Sequence, residues 1–395
     1  MGDSRRRRLN IAYLHWGFPP IIGGVETHLT IVLPEMVKQG NNVSLLTGAV
    51  EGIHGKYDYE GATIYRTPLM DLNWLFKRGL SGLEDDVRRV FTSFLDVTKA
   101  DVIHAHNMHY FSEVHAHTLE SLAGERGIPL ILTAHNVWDD VLFLDLTERV
   151  DWTHIIAVSH FIKKEIIGIG VDDRKITVIH HGIDQDKFHA GVDPSNVLKK
   201  YPQLRDKKVI FHPARMGMAK GCDVSIKAIN LVKRIHPEVI LALAGSKNIV
   251  DWGETQQKDI AYFVNLIRRF KLEESVLIDC YTLDEVKELY AASDVILYPS
   301  TGCEPFGLTM LEAMASEKPI IVTRMGGMPE IISDGINGFV IPVKDFETLA
   351  SKINNLLEDE KLRKRFGYTG RQIVEKQYTK EHIVRNTLAV YDRFV

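Results

Sequence analysis

Along almost the whole chain, short apolar runs rich in β-branched residues alternate with stretches of helical periodicity. Continuous apolar strands are buried on both faces, so this alternation predicts parallel sheets covered by helices. It comes in two series. The first offers strands at Asn10–Leu14, Val43–Thr47, Val102–His104, Leu130–Thr133, Ile155–Val158 and Ile176–Ile179. Helices between them include Glu26–Gln39, closed by Gly40, and His160–Ile167, with Ser159 as N-cap. Pro34 inside the first of these predicts a kink or a boundary near Val32–Leu33. The second series offers Val209–His212, Val239–Ala244, Val276–Asp279, Val295–Tyr298, Ile320–Thr323 and Phe339–Val343. Between the two, Asp184–Asp206 turns polar, with Pro194, Pro202 and several lysines, and reads as a linker. The expected class is α/β, with Rossmann-like domains at 1–190 and 207–378 joined by 191–206. A chain of 395 residues is long for a single core, which agrees with two domains. Ligands of such sheets bind at the carboxyl ends of the strands.

Composition narrows the chemistry. A net charge of −4 makes no case for nucleic acid as a partner, although 17 histidines would make the chain more cationic in mild acid. The three cysteines, Cys222, Cys280 and Cys303, are odd in number and lack CxxC spacing, which suggests neither a disulfide framework nor a zinc site. No apolar run approaches the roughly 20 residues of a membrane span. Arg5–Arg8 give a positive start, but Leu9–Leu14 is too short for a signal-peptide core and reads as a strand. A soluble, cytoplasmic protein is expected.

Several short motifs fall at the predicted strand ends. Glu304-Pro305-Phe306-Gly307-Leu308-Thr309-Met310-Leu311-Glu312 sets two carboxylates eight positions apart, around a Pro-Phe-Gly turn and the start of a helix. The unpaired N–H groups and positive dipole end of a helix N-terminus suit an anion, and flanking carboxylates accept hydrogen bonds from hydroxyls. Hydroxyls on either side of a phosphate describe a sugar nucleotide. Arg215 and Lys220 follow the first strand of the second series on a glycine-bearing loop. They can hold a pyrophosphate, Arg by its planar fork and Lys as a point charge; a solvated basic loop is the alternative. After the first strand of the chain, Gly23-Gly24 enters a helix, either as a plain tight turn or as a place where backbone N–H groups meet a ligand. The only GxG, Gly168-Ile169-Gly170, follows a helix and has Asp173 at the sixth position, so the dinucleotide fingerprint fails. Asp184-Gln185-Asp186 has the look of a metal-binding DxD but sits in the polar linker and reads as a solvated loop. No metal is expected.

In this order the motifs resemble those of the retaining glycosyltransferases of family 4. Gly23-Gly24 with Glu26 is similar to the family's glycine loop, Asp101–His106 to its DxxHxH strand, and Thr133-Ala134-His135 to its TxH strand end. His181-Gly182-Ile183-Asp184 with Phe188 resembles the (N/H)GxD…F entry to the linker. Arg215 and Lys220 match R-x4-K, and Glu304 with Glu312 matches E-x7-E. Gly326–Glu330 and Gly335–Phe339 match GGxxE and GxNG. The resemblance runs almost from end to end.

It implies a GT-B fold, two Rossmann-like domains separated by a deep cleft, with a C-terminal helix at 379–395 crossing back to the first domain. It implies that Glu312 accepts from ribose hydroxyls and that Arg215 and Lys220 neutralise the departing diphosphate. Glu304 would contact donor-sugar hydroxyls, and backbone N–H groups around Phe306, Gly307, Leu308 and Thr309 would bind sugar or phosphate oxygens. Gly23 and Gly24 would complete the donor contacts, and His135 would lie by the sugar's primary hydroxyl. The donor phosphate itself would deprotonate the acceptor, with no cofactor beyond the nucleotide sugar. UDP is expected as the nucleotide, GDP-mannose being the alternative donor. The rival functions are a non-hydrolysing sugar-nucleotide epimerase and a catalytically silent nucleotide-sugar-binding protein.

Other residues carry plainer expectations. His104 and His106 face the same way on a strand, as packing or as a metal pair. His180-His181 reads as hinge structure and Cys303 as a packing residue. Trp74, Phe76, Lys77 and Arg78, within Leu69–Leu83, pack as loop and helix or touch an acceptor or lipid headgroup in a weak peripheral contact. Acceptor choice is assigned to first-domain loops, including Gly48–Gly61.

Overall fold

A computed structural model of the protein describes residues 7–21, 23–50, 53, 55–137, 141–245 and 253–395. Arg5, Arg6, Ile22 and, within Gly48–Gly61, Glu51, Gly52 and His54 lie outside the described residues. The chain divides into two compact units. The first runs to His181 and takes in Lys380–Val395; the second is Gly182–Thr379.

The first unit holds eight strands: β1 (Asn10–Leu14), β2 (Asn42–Gly48), β3 (Lys56–Tyr59), β4 (Ala62–Thr67), β5 (Val102–His106), β6 (Leu130–Ala134), β7 (His154–Ala157) and β8 (Ile176–Val178). Their order is β3-β4-β2-β1-β5-β6-β7-β8, parallel except for the β3–β4 hairpin. The central strands β1, β5 and β6 are buried along almost their whole length, as strands covered on both faces are, β5 with His104 and His106 inside it. The edge hairpin has the alternating burial of a half-exposed strand pair, a pattern hidden in a polar stretch of sequence.

The second unit holds β9 (Lys208–His212), β10 (Val239–Gly245), β11 (Val276–Cys280), β12 (Val295–Tyr298), β13 (Ile320–Thr323) and β14 (Gly338–Ile341). All pair in parallel, in the order β11-β10-β9-β12-β13-β14. The chain leaves β9 toward one side of the sheet and returns to start β12 on the other. This is the topological switch point at which such sheets bind ligands.

Three expectations need correction. The helix after Gly23 has no boundary near Val32–Leu33: it runs Gly24–Lys38 with Pro34 inside it. Val32, Leu33 and Met36 are buried around the proline, and this packing keeps the helix going without one hydrogen bond. The 191–206 linker is no free tether: it folds onto the second unit, which begins at Gly182. Within it Ser195–Lys200 is a helix, Val197 N–H donates to Glu288 at 2.7 Å, Tyr201 OH donates to Asp279 at 2.7 Å, and Lys200 pairs with Glu285. Most of its polar side chains stay exposed, but Asn196, Lys200 and Tyr201 tie it to Glu288, Glu285 and Asp279 of the second unit. Cys303 is exposed rather than packed. His181, expected as hinge structure, is the residue at which the first unit ends. In Leu72–Arg78, a short helix capped by Asp71, Leu75 points inward while Phe76 is 95% exposed.

The C-terminal helix Lys380–Tyr391 belongs to the first unit. Ile383, Val384, Leu388, Val390 and Tyr391 join its core beside Leu29, Val32 and Leu33, and the Tyr391 and Tyr13 hydroxyls lie 3.1 Å apart. Leu388→Ala should cost about 2–5 kcal/mol, the usual range for a buried leucine. Asn386→Ala, at an exposed position of the same helix, should stay within about 0.5 kcal/mol. Urea unfolding of the two variants checks this; equal costs would place the helix outside the core.

Candidate functional site

In the second unit the loops leaving β9 and β12 meet above the switch point. Ala219 C=O accepts from Thr301 N–H, Gly302 N–H and Ser300 OH, each at 2.9 Å, and Met218 C=O accepts from Thr301 OH at 2.8 Å. Gly221 has φ +75°, and a Cβ there would fall 1.9 Å from Pro299 O, so only glycine fits. The lacing puts Lys220 Nζ 2.7 Å from Glu304 Oε2 and 3.0 Å from Tyr298 OH, and Tyr298 OH also bonds Glu304 Oε2. Burial works against the charge on Lys220, but Tyr298 and Glu304 more than offset it and hold the ammonium well above the usual lysine range. On the far side, Gly326 has φ +56° and a Cβ there would meet Glu304 O at 2.1 Å, while Gly327 N–H donates to the same oxygen at 2.9 Å. The GGxxE segment therefore braces the backbone of the loop that carries Glu304.

The helix Leu308–Ala315 starts immediately after this loop, with Gly307 as N-cap at φ +88° and no side-chain cap. Leu308 and Thr309 lie in its first turn, where N–H groups have no helical carbonyl to bond. Phe306 is buried, its ring 6.5 Å from that of Tyr378, so it offers the site its backbone and anchors the turn. Glu312, one turn further on, accepts from Tyr290 OH at 2.7 Å. Burial pushes its carboxyl above the usual range, and the tyrosine bond partly offsets the rise. Arg215 is exposed and makes no ion pair with a described residue. Thus Lys220 and Glu304 come together, Glu312 stands on the adjoining helix, and Arg215 extends from the same loop as Lys220.

In the first unit, Gly23 is extended (φ −167°), and the constraint on it is space: a Cβ would lie 2.2 Å from Glu26 Oε2. Gly24 has open space around it. The buried Glu26 carboxylate lies 3.2 Å from His15 Nε2. His135, just past β6, is 4% exposed, with its Nε2 2.7 Å from His106 Nδ1 and its ring stacked on His181 at 5.1 Å. His28 Nδ1 lies 3.0 Å from His181 Nδ1. His104 bonds Tyr391 OH and Thr133 OH. Burial first, then neighbouring imidazoles, pulls His28, His106 and His135 well below the usual range. The Nδ1 of His135 and the Nε2 of His106 have no hydrogen-bond partner among the described residues.

His28, His106 and His135 each bring a ring nitrogen within 4.8 Å of the others and could hold a metal ion by proximity. The 2.7 Å between His106 and His135 is a hydrogen bond, however, and ligands of a tetrahedral zinc sit about 3.3 Å apart. The geometry here is that of neutral imidazoles sharing protons.

Sequence reasoning missed Tyr298, Tyr290 and His28. A tyrosine closing an apolar strand, as Tyr298 does, is a usable signal because its hydroxyl emerges at the strand's carboxyl end. Tyr290 and His28 lie in helices and carried none.

Two family models match the chain: Glycosyltransferase Family 4 over residues 22–187 and Glycosyl transferases group 1 over residues 196–373. An uncharacterised glycosyltransferase of Methanocaldococcus jannaschii is 25% identical over 402 residues, covering 97% of this chain and 98% of that protein. The N-acetyl-alpha-D-glucosaminyl L-malate synthase of Bacillus anthracis is 27% identical over 302 residues, 74% of each chain. Among solved structures, HepE of Anabaena in complex with UDP and glucose has a TM-score of 0.77 at 20% identity, covering 98% of this chain and 100% of that one. That likeness is one of fold, and it agrees with two Rossmann-like units of GT-B type.

The buried imidazoles set a pH dependence. Burial holds His104 and His181 at about 3, whereas in the unfolded chain they titrate near about 6.5. On acidification the unfolded chain binds protons first, so this stability is complete above about pH 6.5 and drains away toward about pH 3. The loss is on the order of 1.4 kcal/mol per pH unit for each group. The urea midpoint should therefore be lower at about pH 5.5 than at about pH 7.5, and His104→Gln should flatten the dependence. A midpoint unchanged between the two would contradict a neutral buried cluster.

Proposed function

The chain belongs to glycosyltransferase family 4, and on that premise we propose that it moves a hexose or N-acetylhexosamine from a UDP-sugar to an acceptor hydroxyl, with retention. The observation that carries the reading is the Lys220–Glu304 pair at the switch point, with Glu312 on the adjoining helix. Lys220 and Arg215 take the charge of the diphosphate as it departs, the electrostatic contribution that a divalent cation supplies in other designs, so the reaction is metal-independent. Glu304 accepts from hydroxyls of the donor sugar, and Glu312 from those of the ribose. The first-turn N–H groups of Leu308 and Thr309 meet sugar or phosphate oxygens. His135, whose Nδ1 has no hydrogen-bond partner among the described residues, is the residue assigned to the sugar's primary hydroxyl. The departing phosphate oxygen takes the acceptor proton on the same face, and no side chain acts as nucleophile. Support for UDP comes from the Anabaena structure, which contains UDP and glucose, and for N-acetylhexosamine from the name of the Bacillus relative.

Incubation with UDP-glucose, UDP-N-acetylglucosamine and GDP-mannose in turn, with nucleotide release measured, tests the reading. UDP should be released, with no loss of rate in EDTA; release from none of the three would favour a silent binding protein. Lys220→Ala should lower kcat by about a hundredfold or more, the scale for removing one preorganised charge at a developing anion. Glu304→Ala should lower kcat with little change in KM, and Glu312→Ala should raise KM roughly tenfold with kcat nearly intact. Equal effects on both constants would show that the two acids do not divide the work.

A further inference from the structure

The geometry points to Tyr298 as a positioning residue that holds Glu304 toward the donor sugar once Lys220 turns to the diphosphate; this rests on the transfer reading above. Tyr298 ends β12 and is 4% exposed. Its ring edge lies 3.3 Å from where a Cβ of Gly307 would stand, and it meets the ring of His212 edge-on at 6.5 Å. The hydroxyl is therefore fixed in place by packing. It bonds both Lys220 Nζ and Glu304 Oε2, which also bond each other. An ammonium has donors only, so the tyrosine oxygen accepts from Lys220, and its single proton goes to Glu304. Burial raises the phenol well above its ordinary value, so that proton stays on through the neutral range.

The two bonds to the Glu304 carboxylate then have different fates. The one from Lys220 is shared out when a diphosphate arrives, because the same ammonium must serve phosphate oxygens. The one from Tyr298 involves no group the diphosphate needs, and it persists. Gly326 and Gly327 already fix the backbone of residue 304, which leaves side-chain rotation as its remaining freedom. Without the phenol, that rotation is unrestrained at the moment the sugar must be oriented.

Tyr298→Phe removes one oxygen and keeps the ring packing. With the UDP-sugar that supports turnover of the unsubstituted protein, kcat should fall about tenfold, the scale for losing one hydrogen bond to a charged group. The Kd for UDP, measured by calorimetry, should stay within about twofold, because Lys220 still reaches phosphate. On a Glu304→Ala background the same substitution should cost nothing more, since Tyr298 acts through Glu304. A kcat equal to that of the unsubstituted protein, a parallel weakening of UDP binding, or a full additional loss on the Glu304→Ala background would each overturn the assignment. Failure of the unsubstituted protein to turn over any donor would instead overturn the transfer reading, and this assignment with it.

Discussion

A single backbone carbonyl, that of Ala219, sets the register of the second unit's chemistry. Three donors from the β12 loop converge on it, and the close approach of Gly221 to Pro299 O leaves no room for the loops to slide. The strand order makes this meeting possible, since β9 and β12 are sheet neighbours although β10 and β11 separate them in the chain. Ion pairs are weak organisers by themselves, because two long side chains must be ordered to form one. Here the backbone supplies the order, and the Lys220–Glu304 pair inherits it.

Two clusters, the five-histidine one in the first unit and that around Lys220 and Glu312 in the second, bury titratable groups by opposite means. In the second, charge is kept and compensated: Lys220 has a carboxylate and a phenol around its ammonium, and Glu312 has the Tyr290 hydroxyl. In the first, charge is given up. His28, His104, His106, His135 and His181 are buried as neutral rings that bond one another, Thr133 and Tyr391. The first arrangement suits a ligand that arrives with charge. The second suits recognition of neutral hydroxyls, because a neutral imidazole both donates and accepts.

Much of this was legible in the sequence, for a physical reason. Strands of a parallel sheet are apolar on both faces, so β1, β6, β10, β12 and β13 announce themselves as largely apolar runs, and β5 does so through Val102, Ile103 and Ala105 around its histidines. The β3–β4 hairpin at the sheet edge is half exposed, and its alternation is masked by lysine, aspartate and arginine. The 191–206 segment keeps most of its polar side chains exposed, yet it is tied to the second unit by Lys200, Asn196 and Tyr201 through Glu285, Glu288 and Asp279, long-range contacts with no local signature. Pro34 is overridden by the burial of the helix around it. The spacing of Lys220, Glu304 and Glu312 singled them out as candidates, and the fold brings Lys220 and Glu304 together with Glu312 on the adjoining helix. Tyr290 was not singled out, because a contact across 22 positions of chain leaves no local pattern, whereas Tyr298 was readable only from its place at the end of an apolar strand.

The placement of helix Lys380–Tyr391 has a consequence for how the molecule is made. The core of the first unit contains Tyr391, so that unit is discontinuous in the chain, with all of Gly182–Thr379 lying between its parts. The second unit is continuous and has everything it needs once its own residues have been synthesised. During vectorial synthesis the usual N-terminal-first order is therefore inverted for completion: the later unit can close before the earlier one. Until then the earlier unit lacks the helix residues that pack beside Leu29, Val32 and Leu33.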